Sequence, residues 1–213
     1  MKILGIDPGI GRLGFGLIEF KVQSSKFKVK DGGGLIRRPL AETSGVTPEG
    51  KGDALVRTTG NNEYKVSNYG CFETKRGNDK GNRGDKGDKG DDGRRLYEIH
   101  CFLKELIEKE KPDEVAVESL FFAQNVKTAM MVSQARGAIL LTIAQAGLPA
   151  FSYTPLQVKQ ALTGYGRAEK KQVQKMVQVI LGMDAPVKQD DAADALAVAV
   201  THAFSRKLGK LMK

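Results

Sequence analysis

The chain has 213 residues, of which 40% are hydrophobic, so it is long enough for one medium-sized domain with a substantial core. It carries 34 basic against 25 acidic residues, and this net charge of +9 favours a polyanionic partner such as nucleic acid. No apolar run reaches the roughly 18 residues of a membrane-spanning helix, and two cysteines are too few for a disulfide framework. Because the first residues already predict a strand, we expect no targeting peptide, a cytoplasmic location and reduced thiols.

The N-terminal strand is a short apolar run, Ile3 to Ile6, that ends at Asp7 and is followed by Pro8 and Gly9. An apolar run between glycine and proline signals predicts a buried strand. A carboxylate at the end of such a strand lies where α/β sheets bind their ligands. Asp-Pro-Gly is also good turn chemistry, so a turn former and a ligand are equally good interpretations of Asp7 alone.

Residues 13–20 predict a second strand, which pairs back on the first through a glycine-rich turn. Gly14 and Gly16 leave one face of this strand without side chains, and that permits the close approach of another backbone or a ligand. The third strand has two candidates, 27–36 and 64–74, with the same alternating pattern. The pattern does not choose between them.

A polar, glycine-rich region separates these strands from the rest of the chain. Glycines recur at every third residue from Gly81 to Gly93, with charged and amide residues between them. The run is short and has no proline, which excludes a collagen helix and predicts a disordered loop. Such a long structureless connection is uncommon inside a compact domain, so we interpret it as an insertion within 37–93.

The second half of the chain alternates helices and strands. The predicted elements are a helix over 94–111, a strand over 113–118, a helix over 125–146, a strand over 149–154, helices over 155–162 and 169–181, and an alanine-rich helix over 190–205. The last helix is apolar on nearly every side, which predicts close packing against a sheet. The basic residues 206–213 are expected to form a frayed tail. This order predicts an α/β fold, a mixed five-stranded sheet flanked by helices, in a single domain spanning 1–213.

Four carboxylates stand at element ends that this fold can bring together. Glu118 ends its strand as Asp7 ends the first, and parallel neighbours about 4.8 Å apart would present both acids at one edge. Asp191 and Asp194 are three residues apart, so they share a face at the start of the last helix. Asp190 alone could cap that helix, but Asp194 stands in an apolar sequence, where a lone carboxylate is costly unless paired or bound to metal.

Carboxylate ligands without His or Cys suit Mg²⁺ or Mn²⁺. Two such ions about 3.5–4 Å apart activate a water molecule and stabilise the leaving oxygen in phosphodiester cleavage. The basic balance of the chain suits a phosphate-rich substrate. The four acids therefore favour a two-metal nuclease over a set of unrelated surface acids.

The chain resembles the RuvC family of bacterial Holliday-junction resolvases, whose fold is ribonuclease-H-like. The matching segments, in family order, are 3–9, 111–118, 125–129, 134–137, 155–160, 163–166 and 191–197. The resemblance covers 1–20 and 94–205 and is interrupted at 21–93, which the family crosses with one strand and a short loop. Residues 69–74 resemble the family's third strand, whereas 39–42 resemble the segment before its first helix, so both third-strand candidates stay open.

The resemblance implies a homodimeric endonuclease that nicks two opposed strands of a four-way DNA junction symmetrically, in recombination and repair. It implies that the family's catalytic metal ligands correspond to Asp7, Glu118, Asp191 and Asp194. These residues would hold two Mg²⁺ ions per subunit, with Mn²⁺ as a substitute. Whether a branch-migration motor complex is a further partner is open.

Four further residues are candidates for DNA contacts. The resemblance implies stacking of Phe121 on bases near the crossover, and approach of Lys159 and Lys170 to the scissile phosphate. Arg167 belongs to the basic, glycine-rich loop 163–167, which suits a phosphate contact on physical grounds. An aromatic core anchor and a solvated helix face are the simpler explanations for the phenylalanine and the two lysines.

Two other protein classes share part of this pattern. Actin-like and sugar-kinase ATPases also open with a strand, an aspartate and a glycine turn, but they need two such domains and a second phosphate loop. This chain is too short for that arrangement. A non-catalytic module that binds nucleic acid would have no reason to bury Asp194 beside Asp191.

Overall fold

The computed structural model describes residues 1–20, 64–75, 91–119 and 126–211. The strands are β1 (Lys2–Asp7), β2 (Arg12–Phe20), β3 (Tyr64–Glu73), β4 (Glu114–Glu118) and β5 (Ala150–Tyr153). The helices are α1 (Asp91–Glu110), α2 (Val126–Gln145), α3 (Pro155–Thr163), α4 (Lys170–Ile180) and α5 (Asp190–Leu211). No helix in these ranges is long and apolar enough to cross a membrane.

The strands form one mixed sheet in the order β3-β2-β1-β4-β5. The first three strands are an antiparallel meander, whereas β4 and β5 run parallel to β1. Parallel neighbours need a crossover connection, and α1 and α2 supply it before β4 and β5. The predicted α/β class and mixed five-stranded sheet are confirmed.

Each face of the sheet has its own apolar core because side chains alternate along the strands. One core lies under α1 and α2, and its fully buried members include Leu4, Leu17, Ile99, Leu103, Ile139 and Ile143. The other lies under α5, with α3 and α4 packed beside that helix, and it includes Ile3, Ile18, Val177, Leu196 and Val200. The alanine-rich composition of α5 fits its burial in the second core.

The backbone of α5 lies directly on glycines of β1 and β2. A Cβ atom on Gly5 would be 2.0 Å from the carbonyl oxygen of Ala195, and one on Gly14 would be 2.0 Å from that of Asp191. Gly16, the β2 partner of Gly5, leaves room for the side chain of Leu196 in the same way. The bare face predicted for β2 therefore receives the backbone of a helix.

The third strand is the second of the two candidates. Tyr64–Glu73 pairs along β2, with a register shift between Leu17 and Ile18. The range 37–93, predicted to hold a disordered insertion, thus contains an ordered strand, and it also contains the first turn of α1. The other candidate strand, 27–36, and the remaining parts of that range, 37–63 and 76–90, lie outside the described residues.

Two predicted helix boundaries are wrong. Helix α1 begins at Asp91 rather than at 94, and acidic residues in a first turn are favourable because of the helix dipole. Helix α5 continues to Leu211, so the frayed tail predicted from 206 is helical over 206–211. The guanidinium of Arg206 donates to Glu114 Oε1 at the start of β4, a contact between distant segments that holds this end of α5 to the sheet.

We expect Gly5→Ala to destabilise the protein strongly. The added methyl group would meet Ala195 and the amide nitrogen of Ala199, 2.8 Å away, so helix and sheet would have to separate. A cost of about 3 kcal/mol would lower the midpoint of thermal denaturation by roughly 6–12 °C.

The matched control is Gly209→Ala in α5, the helix that packs on Gly5. A Cβ at Gly209 would meet nothing within 4 Å. Removing a glycine from an open helical position should raise the stability by up to about 1 kcal/mol. Circular dichroism during heating measures both variants, and equal melting temperatures would contradict the close approach of α5 to β1.

Candidate active site

Asp7 and Glu118 end two neighbouring parallel strands. Ile6 of β1 is in register with Val117 of β4, so the acids that follow them lie side by side. Both side chains point towards α5, because strand side chains alternate and Gly5, two residues before Asp7, already faces that helix. The two carboxyl groups share a hydrogen bond.

The two strand-end acids hold a proton between them at neutral pH. Burial raises the pKa of Asp7 to about 6, although the hydrogen bond with Glu118 opposes part of this effect. Burial, together with the charge of Asp7, raises the pKa of Glu118 to about 8. Two half-buried carboxyl groups in contact cannot both ionise freely, so they titrate as a pair.

The α5 acids lie next to this pair. The carbonyl group of Asp191 packs on Gly14, and Gly14 is the β2 partner of Asp7. The charge of Asp194, one helical turn further along, raises the pKa of both Asp7 and Glu118. The structure therefore brings all four predicted acids to one edge of the sheet.

Two basic side chains, Lys170 and Arg12, border the acids and form ion pairs with aspartates of α5. Lys170 Nζ at the start of α4 lies 2.9 Å from Asp194 Oδ2 and 3.4 Å from Asp190 Oδ2. Burial raises the pKa of Asp194 even though this lysine acts in the opposite direction. On the other side, Arg12 Nη1 lies 3.4 Å from Asp191 Oδ2.

The donor set fits a hard divalent cation, because it consists of carboxylates without imidazole. In the part of the chain that the structure describes, no three acidic, His or Cys side chains converge on a single metal position. The carboxyl groups instead pair separately: Asp7 with Glu118, Asp194 with Lys170 and Asp191 with Arg12. A divalent cation bound here would replace the shared proton and compete with the two basic side chains.

The turn after Asp7 is fixed from β3 and α1. Thr74 donates from Oγ1 to the carbonyl oxygen of Ile10, at 2.7 Å, and from its backbone N–H to that of Gly11, at 3.2 Å. The buried Arg95 donates from Nε to Thr74 Oγ1 at 2.9 Å. These bonds hold the loop that leads away from Asp7.

Three of the four candidate DNA contacts are among the described residues, on the α5 side of the sheet. Lys170 reaches the acids directly, as described above. Lys159 is half-buried on α3, and Arg167 is exposed in the loop between α3 and α4. That loop begins at Gly164, which has a φ of 74° and ends α3. Phe121 lies outside the described residues.

The site contains neighbours that the sequence did not single out. Cys71 on β3 is in register with Gly14, and its Sγ lies 3.9 Å from Asp191 Oδ2. Glu73, two residues further along β3, accepts hydrogen bonds from Arg12. Both residues come from 21–93, where the resemblance is interrupted. The only sequence signal for this part of the site was the position of Arg12 directly after the turn that follows the first strand.

Comparison with known proteins gives a consistent result. The family model for crossover junction endodeoxyribonuclease RuvC matches residues 86–202. The curated crossover junction endodeoxyribonuclease RuvC of Moorella thermoacetica is 42% identical over 203 residues, which cover 95% of this chain and 91% of the relative. The protein of that name from Alkaliphilus metalliredigens is 39% identical over 213 residues, covering 100% and 99%.

Solved structures agree with the sequence relatives. Thermus thermophilus RuvC superposes with a TM-score of 0.68 at 29% identity, covering 98% of this chain and 97% of that one. Thermus thermophilus RuvC in complex with a Holliday junction substrate gives 0.66 at 27% identity, with the same coverage. The yeast mitochondrial Holliday junction resolvase Ydc2, at 14% identity and a TM-score of 0.55, shares the fold and covers 98% and 80%.

The raised pKa values predict that the protein without divalent cations loses stability as the pH rises. The carboxyl groups of Asp7 and Glu118 ordinarily ionise at 3.8 and 4.5, but in the folded protein they do so at about 6 and about 8. Their effect on stability is absent below about pH 4 and grows more unfavourable until the pH passes 8.

Glu118→Gln should therefore be more stable than the parent at pH 8.5 by about 1–2 kcal/mol, with a smaller difference at pH 5. Thermal denaturation in EDTA at the two pH values measures this, with Glu105→Gln on the exposed surface of α1 as the control. An identical pH dependence in the parent and Glu118→Gln would refute the shared-proton description.

Proposed function

Because the chain belongs to the RuvC family and is therefore a Holliday-junction resolvase, an endonuclease of DNA recombination and repair, we propose that it cleaves at the four-acid site. The supporting observation is the packing of α5 on Gly5 and Gly14, which carries Asp191 and Asp194 to the strand-end pair. The choice of these residues thus rests on the geometry of α5 at the strand ends.

Membership of this nuclease family implies dependence on a divalent metal, and we propose Mg²⁺, two ions per subunit, with Mn²⁺ as a substitute. Asp7, Glu118, Asp191 and Asp194 are the residues that would hold these ions. When bound, such ions lower the pKa of an attacking water and offset the charge on the leaving oxygen.

The chain's own groups prepare the site for this chemistry. Asp7 and Glu118 must give up their shared proton to become ligands, so metal affinity should rise with pH. Lys170 fixes the carboxylate of Asp194 through its 2.9 Å contact and places a positive charge beside the reacting phosphate. Thr74 bonds to the turn after Asp7 and Arg95 bonds to Thr74, and we call these contacts the Thr74–Arg95 clamp. The clamp keeps Asp7 at the edge of the sheet.

We propose four-way junction DNA as the substrate, since a relative with 27% identity over nearly its whole length is known in complex with a Holliday junction substrate. The net charge of +9 supports a polyanionic substrate. Lys159 and Arg167 are proposed phosphate contacts, and Phe121 is proposed to stack on bases near the crossover. A branch-migration motor partner and a cytoplasmic location stay predictions.

We also propose a homodimer formed through α2. This helix exposes 61% of Met130 and 59% of Leu141, and the exposed Ser133 and Gly137 lie between them on the same stripe. Exposed apolar side chains on one stripe of a helix suit an interface, and the glycine would let a second backbone approach closely. A two-fold dimer would supply the two active sites that symmetric nicking requires.

We expect Asp7→Asn to abolish junction cleavage in Mg²⁺ while leaving junction binding within a few-fold of the parent. The substitution keeps the size of the side chain but removes the charge of a proposed metal ligand. Gel assays on a synthetic four-way junction, with a linear duplex beside it, measure cleavage and binding. Asp113→Asn, at the other end of the sheet, should cleave normally; normal cleavage by Asp7→Asn would refute the metal site.

Leu141→Arg should convert the dimer to monomers and abolish paired nicking, because it places a charge on the apolar stripe of the proposed interface. Analytical ultracentrifugation measures the association state, and a cruciform plasmid reports whether both strands are cut together. Val179→Arg on α4, where the side chain is similarly exposed at 61%, is the control and should remain dimeric. A dimeric Leu141→Arg protein would place the interface elsewhere.

A further inference from the structure

Arg12 occupies the rim of the active site on the side away from α4. It begins β2, and two residues later Gly14 lies opposite Asp7 in the sheet. Because side chains alternate, Arg12 points to the same face as Gly14, which is the face covered by α5. The arginine therefore projects past the end of β1, next to the acids.

The guanidinium of Arg12 is held by two carboxylates. Its Nε and Nη2 donate to Glu73 Oε1 at 3.0 and 2.6 Å, and its Nη1 donates to Asp191 Oδ2 at 3.4 Å. Its side chain is nevertheless 56% exposed. The bonds with Glu73, followed by the charge of Asp191, raise the pKa of Arg12, so it is always charged.

A stabilising role does not account for this arrangement. Exposed ion pairs typically contribute no more than about 1 kcal/mol. The two residues are already joined through their backbones, because Arg12 and Glu73 are register partners in the β2–β3 ladder. The acidic Glu73 would also repel a DNA strand at this rim unless it served to hold a positive group.

Arg12 and Lys170 lie on opposite flanks of the acids. Lys170 pairs with Asp194 on one flank of the acids, and Arg12 pairs with Asp191 on the other. A guanidinium presents five N–H donors in a planar fork, which matches the oxygens of a phosphate group. Arg12 donates three hydrogen bonds to the described residues, and the one to Asp191 is long at 3.4 Å. The guanidinium therefore has N–H donors left for a further acceptor.

We propose that Arg12 binds a backbone phosphate of the DNA strand that enters the active site, and that Glu73 is the residue that positions its guanidinium. The proposal rests on the nuclease site proposed above. Nη1 and Nη2 each carry a second N–H beyond those held by Asp191 and Glu73, and these groups donate to a non-bridging phosphate oxygen with or without bound metal. Glu73 retains Nε and Nη2, which keeps the guanidinium at the rim.

The test separates DNA binding from cleavage. Junction affinity is measured in EDTA over a range of salt concentrations, and single-turnover cleavage is measured separately in Mg²⁺. One lost phosphate contact should reduce the slope of log affinity against log salt by about 0.9. We expect this change in Arg12→Ala, with at least a tenfold slower cleavage and an unchanged melting temperature.

Two further variants define the contact. Arg12→Lys should retain the salt slope, because the charge remains, but cleave more slowly than the parent, because one ammonium cannot bond both Glu73 and the phosphate in the same geometry. Lys104→Ala, which removes an exposed cation from α1 on the opposite side of the sheet, should change neither quantity. Arg12→Gln repeats the slope test with a longer polar side chain if the alanine variant melts early.

The positioning role of Glu73 is tested by a double-mutant cycle. Glu73→Ala should slow cleavage at an unchanged salt slope, and it should have no further effect when combined with Arg12→Ala. Equal effects of Glu73→Ala in both backgrounds would overturn the positioning role.

An unchanged salt slope in Arg12→Ala, with cleavage within twofold of the parent, would overturn the phosphate contact. Because binding is measured in EDTA, this outcome is distinct from a failure of the metal site, which Asp7→Asn reports.

Discussion

The contact on which the molecule depends is the packing of the α5 backbone on the glycines of β1 and β2. Side chains at Gly5 or Gly14 would hold the helix away from the sheet, since their Cβ atoms would fall 2.0 Å from its carbonyl oxygens. The same approach seals the second core and sets Asp191 beside Asp7. Fold stability and the assembly of the acids therefore share one cause, and a substitution that loosens the helix would affect both.

The acidic cluster is costly, and the structure offsets that cost with protons and cations. Burial opposes ionisation of Asp7 and Glu118, which share a proton, while Lys170 and Arg12 each neutralise an aspartate of α5. The proposed divalent-metal site would need these carboxylates close together even though they repel each other. The clustered negative charge thus lowers the stability of the folded protein, as is common at active sites.

Much of this site was predictable from local sequence, and the rest depended on long-range contacts. Asp7 and Glu118 could be predicted as site residues because each ends an apolar run. Asp194 could be predicted because it interrupts an apolar helix. The identity of β3 as Tyr64–Glu73 could not be predicted from the sequence, since it depends on pairing with β2 across a long intervening segment. The roles of Arg12 and of the Thr74–Arg95 clamp depend on that same register, and the extension of α5 depends on the contact between Arg206 and Glu114.

The most direct test of the central claim is to locate bound Mn²⁺ by anomalous diffraction from crystals of the protein soaked in that ion. Two peaks are expected in each subunit at the edge of the sheet, about 3.5–4 Å apart and beside the carboxylate of Asp7. Glu118 should contact the same pair of ions together with the α5 aspartates. A crystal of cleavage-competent protein with no peak beside Asp7, or with its manganese bound only elsewhere, would contradict the account.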